Sequence, residues 1–255
     1  MRDILESVAA GELSPATAEA RLSGYASTDA GRFDAAREHR RGVPEAILAD
    51  GKTPEETASL VLTALETTGR ALVTRTDEAD VAAVRARVDA EAPDATVETD
   101  ERARTLVARA PDHERPSLDA TVAVVTAGTS DAAAAGEATT VLREMGATVD
   151  CIDDVGVANI DRVLDQREAL RAADVLVVAA GREGALPTVV AGMVDAPVIA
   201  LPVAVGYGFG GDGDAALAGM LQSCSVLSVV NVDAGFVAGA QAGLVARAVS
   251  AARGA

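Results

Sequence analysis

Tryptophan is absent from this chain of 255 residues, and two tyrosines and three phenylalanines are its whole aromatic content. Positive charge is scarce as well. Against 39 Asp and Glu stand 22 Lys and Arg, Lys52 is the lone lysine, and the formal net charge is −17. A protein that binds duplex DNA or an anionic membrane needs a basic face to neutralise phosphates, and no such cluster is visible, so neither is an expected partner. Two cysteines, Cys151 and Cys224, are too few for a disulfide scaffold and lack metal-ligand spacing. No run approaches the roughly 20 apolar residues of a membrane span. The nearest, Ala196 to Val205, is interrupted by Pro197 and Pro202. Met1 to Ala10 carries Arg2, Asp3 and Glu6 and lacks the basic-then-apolar pattern of a secretory leader, so a cytoplasmic protein is expected. No Ser-His-Asp set, zinc motif or Walker loop occurs.

What is abundant is alanine, valine and carboxylate. Hydrophobic residues make up 49% of the chain, enough for a packed core. Arg in place of Lys, small aliphatics in place of aromatics, and a surplus of carboxylates fit a protein kept soluble in concentrated salt. There the Debye length falls to about 3 Å at 1 M and self-repulsion is tolerable. A high-GC genome favours the same residues, and both readings apply.

Residues 1–116 read as a small α+β module. Arg2 to Ala10 suits a helix, Ser14 is an N-cap ahead of Pro15 with a helix to about Leu22, and Thr53-Pro54-Glu55-Glu56 is a capping box. Ala58, Val61, Leu62 and Leu65 then recur at helical spacing to about Thr67. Arg70–Arg75 and Thr105–Ala110 read as strands and Glu78–Asp89 as a helix, with Pro111 to Pro116 as the linker; His39 and His113 are assigned surface roles. Residues 117–255 alternate regularly. Strands are expected at Thr121–Thr126, Thr148–Ile152, Asp174–Ala179, Pro197–Leu201 and Val226–Val232. Helices fill the intervals at Ala132–Met145, Ile160–Arg171, Ala185–Val194, Ala215–Leu221 and Phe236–Ala252. Apolar strands without clean alternation imply burial on both faces, hence a parallel sheet between two helical layers. The last helix, rich in Ala and Gly, is expected to pack closely on the sheet or on a neighbouring subunit.

In such a sheet ligands bind beyond the carboxyl ends of the strands, which singles out five loops. After the first strand, Gly128 permits a tight turn, and the Thr129 and Ser130 hydroxyls with free helix N–H groups can hold a phosphate, beside the carboxylate of Asp131. An ordinary N-cap is the plainer reading of that turn. The second strand delivers Asp153, Asp154 and Gly156. The third places Arg182 and Glu183 between Gly181 and Gly184, at a helix start. The fourth leads into Gly206-Tyr207-Gly208-Phe209-Gly210-Gly211, which reads as a mobile lid over a flat ring, because scarce aromatics stand among glycines. Cys224 comes just before the fifth strand and alone would be read as a small hydrophobe. Asn231 and Asp233 follow that strand.

Taken together, Thr126 to Asp131, Asp154 to Ala158, Ala180 to Pro187, Pro197 to Ala200, Val205 to Gly208, Ser223-Cys224 and Asn231 to Phe236 resemble the LarB family of nickel-pincer cofactor biosynthesis. That family is related to the purine-pathway aminoimidazole ribonucleotide (AIR) carboxylases. Upstream, Asp34, Arg37, Arg40 to Glu45 and Gly51-Lys52-Thr53 resemble its N-terminal signature. The resemblance implies a flavodoxin-like, PurE-like fold, usually assembled as an octamer. It also implies conversion of nicotinic acid adenine dinucleotide, with CO2 or bicarbonate and water, to pyridinium-3,5-biscarboxylic acid mononucleotide and AMP. Cys224 matches the family cysteine and would be the nucleophile, with Glu183 or Asp131 handling the ring proton. Gly128, Thr129 and Ser130 would hold phosphate, Arg182 or Arg162 would balance its charge, and Asp154, Gly181, Gly184, Gly206, Tyr207, Gly208, Asn231 and Asp233 would complete the substrate site. No tightly bound cofactor is expected; a Mg2+ carried in with the dinucleotide is compatible with the site. The sequence departs from the family at Asp161, where a histidine is usual, and at Arg182, Ala234 and Val237. Two alternatives remain: an AIR carboxylase or mutase, and a nucleotide-sensing protein that kept the fold and lost catalysis.

Overall fold

The helix starts expected from the sequence form as capped turns. Ser14 Oγ accepts the Thr17 N–H at 3.1 Å ahead of Pro15. Thr53 and Glu56 close a reciprocal box, with Glu56 N–H donating to Thr53 Oγ1 (3.2 Å) and Thr53 N–H to Glu56 Oε2 (2.8 Å). Each bond satisfies a terminal N–H that has no partner inside its helix. The structure, a computed structural model, describes residues 2–206, 208 and 210–254. Its contacts divide the chain between Glu114 and Arg115 into two compact units.

The N-terminal unit runs α1 (Arg2–Ala9), α2 (Pro15–Ser23), β1 (Ala26–Thr28), β2 (Gly31–Phe33), α3 (Arg37–Arg41), β3 (Ala46–Leu48), α4 (Pro54–Thr68), β4 (Arg70–Thr74), α5 (Glu78–Glu91), β5 (Thr96–Asp100) and β6 (Thr105–Arg109). β1 and β2 pair as a hairpin, and the other strands form a mixed sheet in the order β3-β4-β6-β5. Sequence periodicity missed β1, β2, β3 and α3, which are only three to five residues long, and the edge strand β5, whose mostly exposed residues carry one apolar side chain. His113 corrects its expected surface role. Its Nε2 is shielded from solvent and its ring lies over Gly69, where a Cβ would come within 3.3 Å of Nδ1.

The C-terminal unit holds β7 (Thr121–Thr126), α6 (Ala132–Glu144), β8 (Thr148–Ile152), α7 (Ile160–Leu164), α8 (Arg167–Ala172), β9 (Val175–Ala180), α9 (Ala185–Ala191), β10 (Val198–Pro202), α10 (Asp214–Leu221), β11 (Ser228–Val229) and α11 (Gly235–Arg253). All five strands are parallel, in the order β8-β7-β9-β10-β11. This is a flavodoxin-like three-layer α/β fold. Along β7, Val122 and Val124 face a core made with α6 and α11, while Ala123 and Val125 face a second core made with α7 to α10. The expected burial of the strands on both faces is thus observed.

Two expected elements are altered. The helix expected over Ile160–Arg171 breaks into α7 and α8 although no glycine or proline marks the break; Val163 and Leu170, one from each piece, both insert into the second core. The strand expected over Val226–Val232 shrinks to two paired residues, with Val226 96% exposed. β11 has β10 as its one neighbour, and Pro202 at the end of β10 brings no N–H to extend the ladder.

α11 is long and apolar enough by composition to cross a membrane, but Ala238, Ala242 and Ala246 are buried in the first core, as in a core helix. Its far end is tied to the sheet. Arg253 reaches both carboxylate oxygens of Asp174, and Asp174 Oδ2 also accepts the Thr121 N–H at 2.8 Å. The Arg253 hydrogen bond, helped by that amide, holds the Asp174 carboxyl below its ordinary value. A lowered folded-state value stabilises the fold above the ordinary Asp range, and that stability is lost as pH falls through the lower value. Arg253→Ala should therefore make the acid-side fall in stability shallower; denaturant titrations between pH 7 and pH 3 check this.

Candidate active site

Between β7 and β9 the chain changes direction. β7 leads into α6 on one face of the sheet, and β9 leads into α9 on the other. The two loops diverge and leave a crevice at the carboxyl edge, the place where open α/β sheets bind ligands. The crevice has a volume of about 370 Å³ and is lined by residues of three loops: Gly128, Ser130 and Asp131 after β7; Gly156 and Arg162 after β8; Gly181, Arg182 and Glu183 after β9. Ala158, Leu186 and Val205 add apolar surface that the sequence reading did not assign to the site.

The wall after β7 is a short turn, Thr129–Asp131, leading into α6. Asp131 is buried (2% exposed), and its Oδ2 accepts the Gly128 N–H at 2.8 Å. Burial raises its carboxyl above the ordinary value, while the backbone N–H groups of Gly128, Ala127 and Gly181 pull it back down. The opposite wall is a tight turn in which Arg182 (φ 54°) and Gly184 (φ 66°) are left-handed. Glycine is required at 184 because α10 comes so near that a Cβ would lie 2.6 Å from the Ala216 carbonyl oxygen. Arg182 N–H donates to the Val205 oxygen at 3.0 Å, joining this turn to the loop after β10. Glu183 is exposed on that turn and faces the crevice lining.

Other residues singled out by sequence hold the loops. Arg162 donates to the carbonyls of Asp154 (2.9 Å) and Gly156 (3.2 Å) and pairs with the Asp154 carboxylate (3.1 Å). It lines the crevice, yet its Nη atoms serve the loop after β8. Asp233 Oδ1 accepts the Ala204 N–H at 3.0 Å, joining the loops after β10 and β11, and Asn231 Oδ1 accepts the N–H of the next residue, Val232, at 2.9 Å. Thr129, Asp154, Gly184, Gly206, Gly208, Asn231, Asp233 and Cys224 stand outside the crevice lining. Tyr207 and Phe209, expected as a lid, lie outside the described residues.

Cys224 is exposed, in the segment between α10 and β11. Ser223 Oγ accepts both the Thr188 hydroxyl (2.9 Å) and the Ser225 N–H (3.1 Å), which pins the segment to α9. Leu221 (65% exposed) and Val226 (96%) flank the thiol with uncovered apolar surface. Among the described residues, no group of three or more His, Cys, Asp or Glu side chains could hold a metal ion.

Comparison with known proteins gives two matches that together cover both units. Residues 25–110 match the LarB/PurE-like N-terminal domain, and residues 121–254, more than half of the chain, match the AIR carboxylase family. The chain belongs to the LarB family. An uncharacterized protein of Methanocaldococcus jannaschii is 36% identical over 219 residues, covering 85% of this chain and 84% of the relative. The catalytic unit of this LarB-family chain is thus of the carboxylase type, and the crevice lies wholly within it. Asp161, where the sequence departs from the family's histidine, is exposed and does not line the crevice.

Proposed function

We propose that the protein carboxylates the pyridinium ring of nicotinic acid adenine dinucleotide and hydrolyses its phosphoanhydride, releasing AMP and pyridinium-3,5-biscarboxylic acid mononucleotide. The observation that carries this reading is a crevice in a LarB-family, carboxylase-type unit that combines a glycine-and-hydroxyl turn at the start of α6 with the Arg182-Glu183 turn. The first suits a phosphate and the second offers a charge partner and a base.

A pyridinium ring is electron-poor and does not attack CO2. Addition of the Cys224 thiolate to a ring carbon forms a C–S bond and leaves a dihydropyridine whose enamine carbon is nucleophilic. That carbon forms the new C–C bond to CO2, its hydrogen leaves as a proton to a carboxylate, and the C–S bond breaks to restore aromaticity. In the hydrolytic half, water attacks the phosphoanhydride and AMP departs. Glu183 is the better placed of the two candidate bases, since it is exposed on the crevice wall while Asp131 is buried. Cys224 lies outside the crevice lining of its own chain, so a homo-oligomer, in which the exposed 222–227 segment of one copy meets the crevice of another, completes the reading.

The test is incubation of purified protein with the deamido dinucleotide and labelled bicarbonate in high salt, followed by mass spectrometry. Appearance of AMP and a labelled ring-carboxylated mononucleotide is expected; appearance of neither rejects the reading. The match to the AIR carboxylase family favours a second substrate, aminoimidazole ribonucleotide, whose ring is electron-rich and needs no thiol. Carboxylation of that compound, unaffected by loss of Cys224, would establish the alternative. Tight dinucleotide binding without turnover would establish the regulatory one. Glu183→Gln keeps size and removes the base, and should lower turnover on the order of a hundredfold or more with KM little changed, measured by initial rates.

A further inference from the structure

The loop after β8 forms one wall of the crevice, and the sheet alone does not hold it. The β7–β8 ladder ends with Val125 paired to Ile152, so residues 153–158 lie beyond it. Thr126, the last residue of β7, carries the attachment on. Its carbonyl accepts the Val155 N–H at 3.0 Å, its Oγ1 accepts the Asp154 N–H at 3.0 Å, and the same hydroxyl donates to Asp153 Oδ1 at 3.0 Å. A threonine hydroxyl has one hydrogen to donate and lone pairs to accept, and here both capacities go to consecutive residues of one loop. Thr126 is 2% exposed, stands outside the crevice lining, and is itself fixed by pairing with Ala179 of β9. What it holds is a bent chain. Asp154 is left-handed (φ 57°), a conformation that a non-glycine residue keeps only where its surroundings over-determine it. Past the bend, Gly156 comes so close to the loop after β7 that a Cβ would lie 2.6 Å from the Ala127 carbonyl oxygen. Gly156, Val157 and Ala158 then line the crevice together with Gly128 and Ser130.

We propose that Thr126 is a positioning residue whose hydroxyl latches the Asp153-Asp154 bend to the end of β7 and so sets the Gly156–Ala158 wall beside the Gly128–Ser130 turn, where a phosphate of the substrate would lie. The latch stands on the hydrogen bonds, and its consequence for substrate binding rests on the reading of the preceding subsection. Arg162 reaches the same loop from α7, but it donates to the carbonyls of Asp154 and Gly156 and to the Asp154 carboxylate. It therefore cannot serve the Asp154 amide, which is a donor too and takes Thr126 Oγ1 as its acceptor. The bend is thus held from two sides by different chemistry, a guanidinium on its oxygens and a hydroxyl on its N–H. Valine has the shape of threonine without the polar atom, so the contribution of the hydroxyl can be separated from that of packing.

Hydrogen exchange of the full-length protein without ligand tests the latch independently of any activity. In Thr126→Val, amides in peptides covering residues 153–158 should exchange about tenfold faster or more, while peptides from β9 and α11 stay as in the wild type. Thr126→Ser keeps the hydroxyl and should bring exchange back toward the wild-type rate. If the valine variant does not fold, Thr126→Ala set against Thr126→Ser carries the same comparison. Unchanged exchange at 153–158 without the hydroxyl, or equal acceleration with and without it, would make Thr126 a packing residue and overturn the proposal. Turnover supplies the second arm. Thr126→Val should raise KM for the dinucleotide several-fold with kcat within about twofold of the wild type, and Thr126→Ser should restore KM. A fall in kcat at unchanged KM would place Thr126 in the chemical step and overturn the positioning role. If the wild type itself turns over no dinucleotide, the functional reading fails, and the exchange result still decides the latch.

Discussion

Replacing Cys224 by alanine is expected to reduce ring carboxylation by a thousandfold or more on an order-of-magnitude scale, with the fold intact. Cys224 is exposed and only its neighbours Ser223 and Ser225 make the hydrogen bonds that seat the segment on α9, so removing the sulfur disturbs no packing. The chemical demand is severe because an uncatalysed pyridinium carbon carries no electron pair for CO2, and the described crevice lining offers no other thiol or amine nucleophile. Initial-rate assays with labelled bicarbonate, beside a thermal melt, make the comparison. Unchanged carboxylation in a well-folded Cys224→Ala protein would remove the thiol mechanism. A sharper form mixes subunits. Co-assembled Cys224→Ala and Glu183→Gln chains should recover part of the activity each lacks alone if the thiol of one copy serves the crevice of another.

The largest stability effect is expected at Gly239. α11 lies against α6 through Gly235, Gly239 and Gly243, and a Cβ at Gly239 would stand 2.6 Å from the Ala138 carbonyl oxygen and 2.9 Å from its Cα. Both are backbone atoms, which cannot rotate aside. Gly239→Ala gains about 1 kcal/mol of helix propensity, and the overpacking costs about 1–3 kcal/mol, so a net loss wins. Gly239→Val adds two more methyl groups and forfeits much of the propensity gain. Its loss should exceed about 3 kcal/mol, a large part of the roughly 5–15 kcal/mol that holds a domain together. Denaturant midpoints measure both. Gly206→Ala is the control, because a Cβ there meets nothing within 4 Å and φ is not left-handed, so the change should stay within about 0.5 kcal/mol. Equal effects at 206 and 239 would show that the close helix approach is not what stabilises α11.

The contrast between these two positions shows where sequence reading stops. The Ala- and Gly-rich run from Gly235 could be recognised as a helix made for close approach, but whether it met the sheet or another subunit was open; it packs on β7, β9 and β10 of the sheet and, through its glycines, on α6. Signals that act over four residues were legible. Ser14 and Thr53 cap their helices as expected, and the capping box of Asp77 with Asp80, not foreseen, starts α5 at the expected Glu78. Strands of three residues, the edge strand β5 and the break between α7 and α8 were not legible. β1, β2 and β5 pair with a strand adjacent in the chain and are too short or too polar to show a period, whereas β3 and the break between α7 and α8 depend on segments farther away.

The site divides in the same way. Order along the chain placed the glycine-and-hydroxyl turn, the Arg182-Glu183 turn and the loop after β8 at one edge, because parallel strands joined by helices present all their carboxyl ends together. Which side chains remain available at that edge is decided by the fold. Asp131 looked like a carrier of the ring proton and Arg162 and Asp233 like substrate ligands, and each hydrogen-bonds a backbone group of a loop. Cys224, adjacent in motif, is outside the crevice lining. The reason is physical. Hydrophobic period and helix caps are local properties that the amino-acid order specifies by itself, whereas the sheet order β8-β7-β9-β10-β11 and the crevice opened where the loops after β7 and β9 part exist only once distant segments have met.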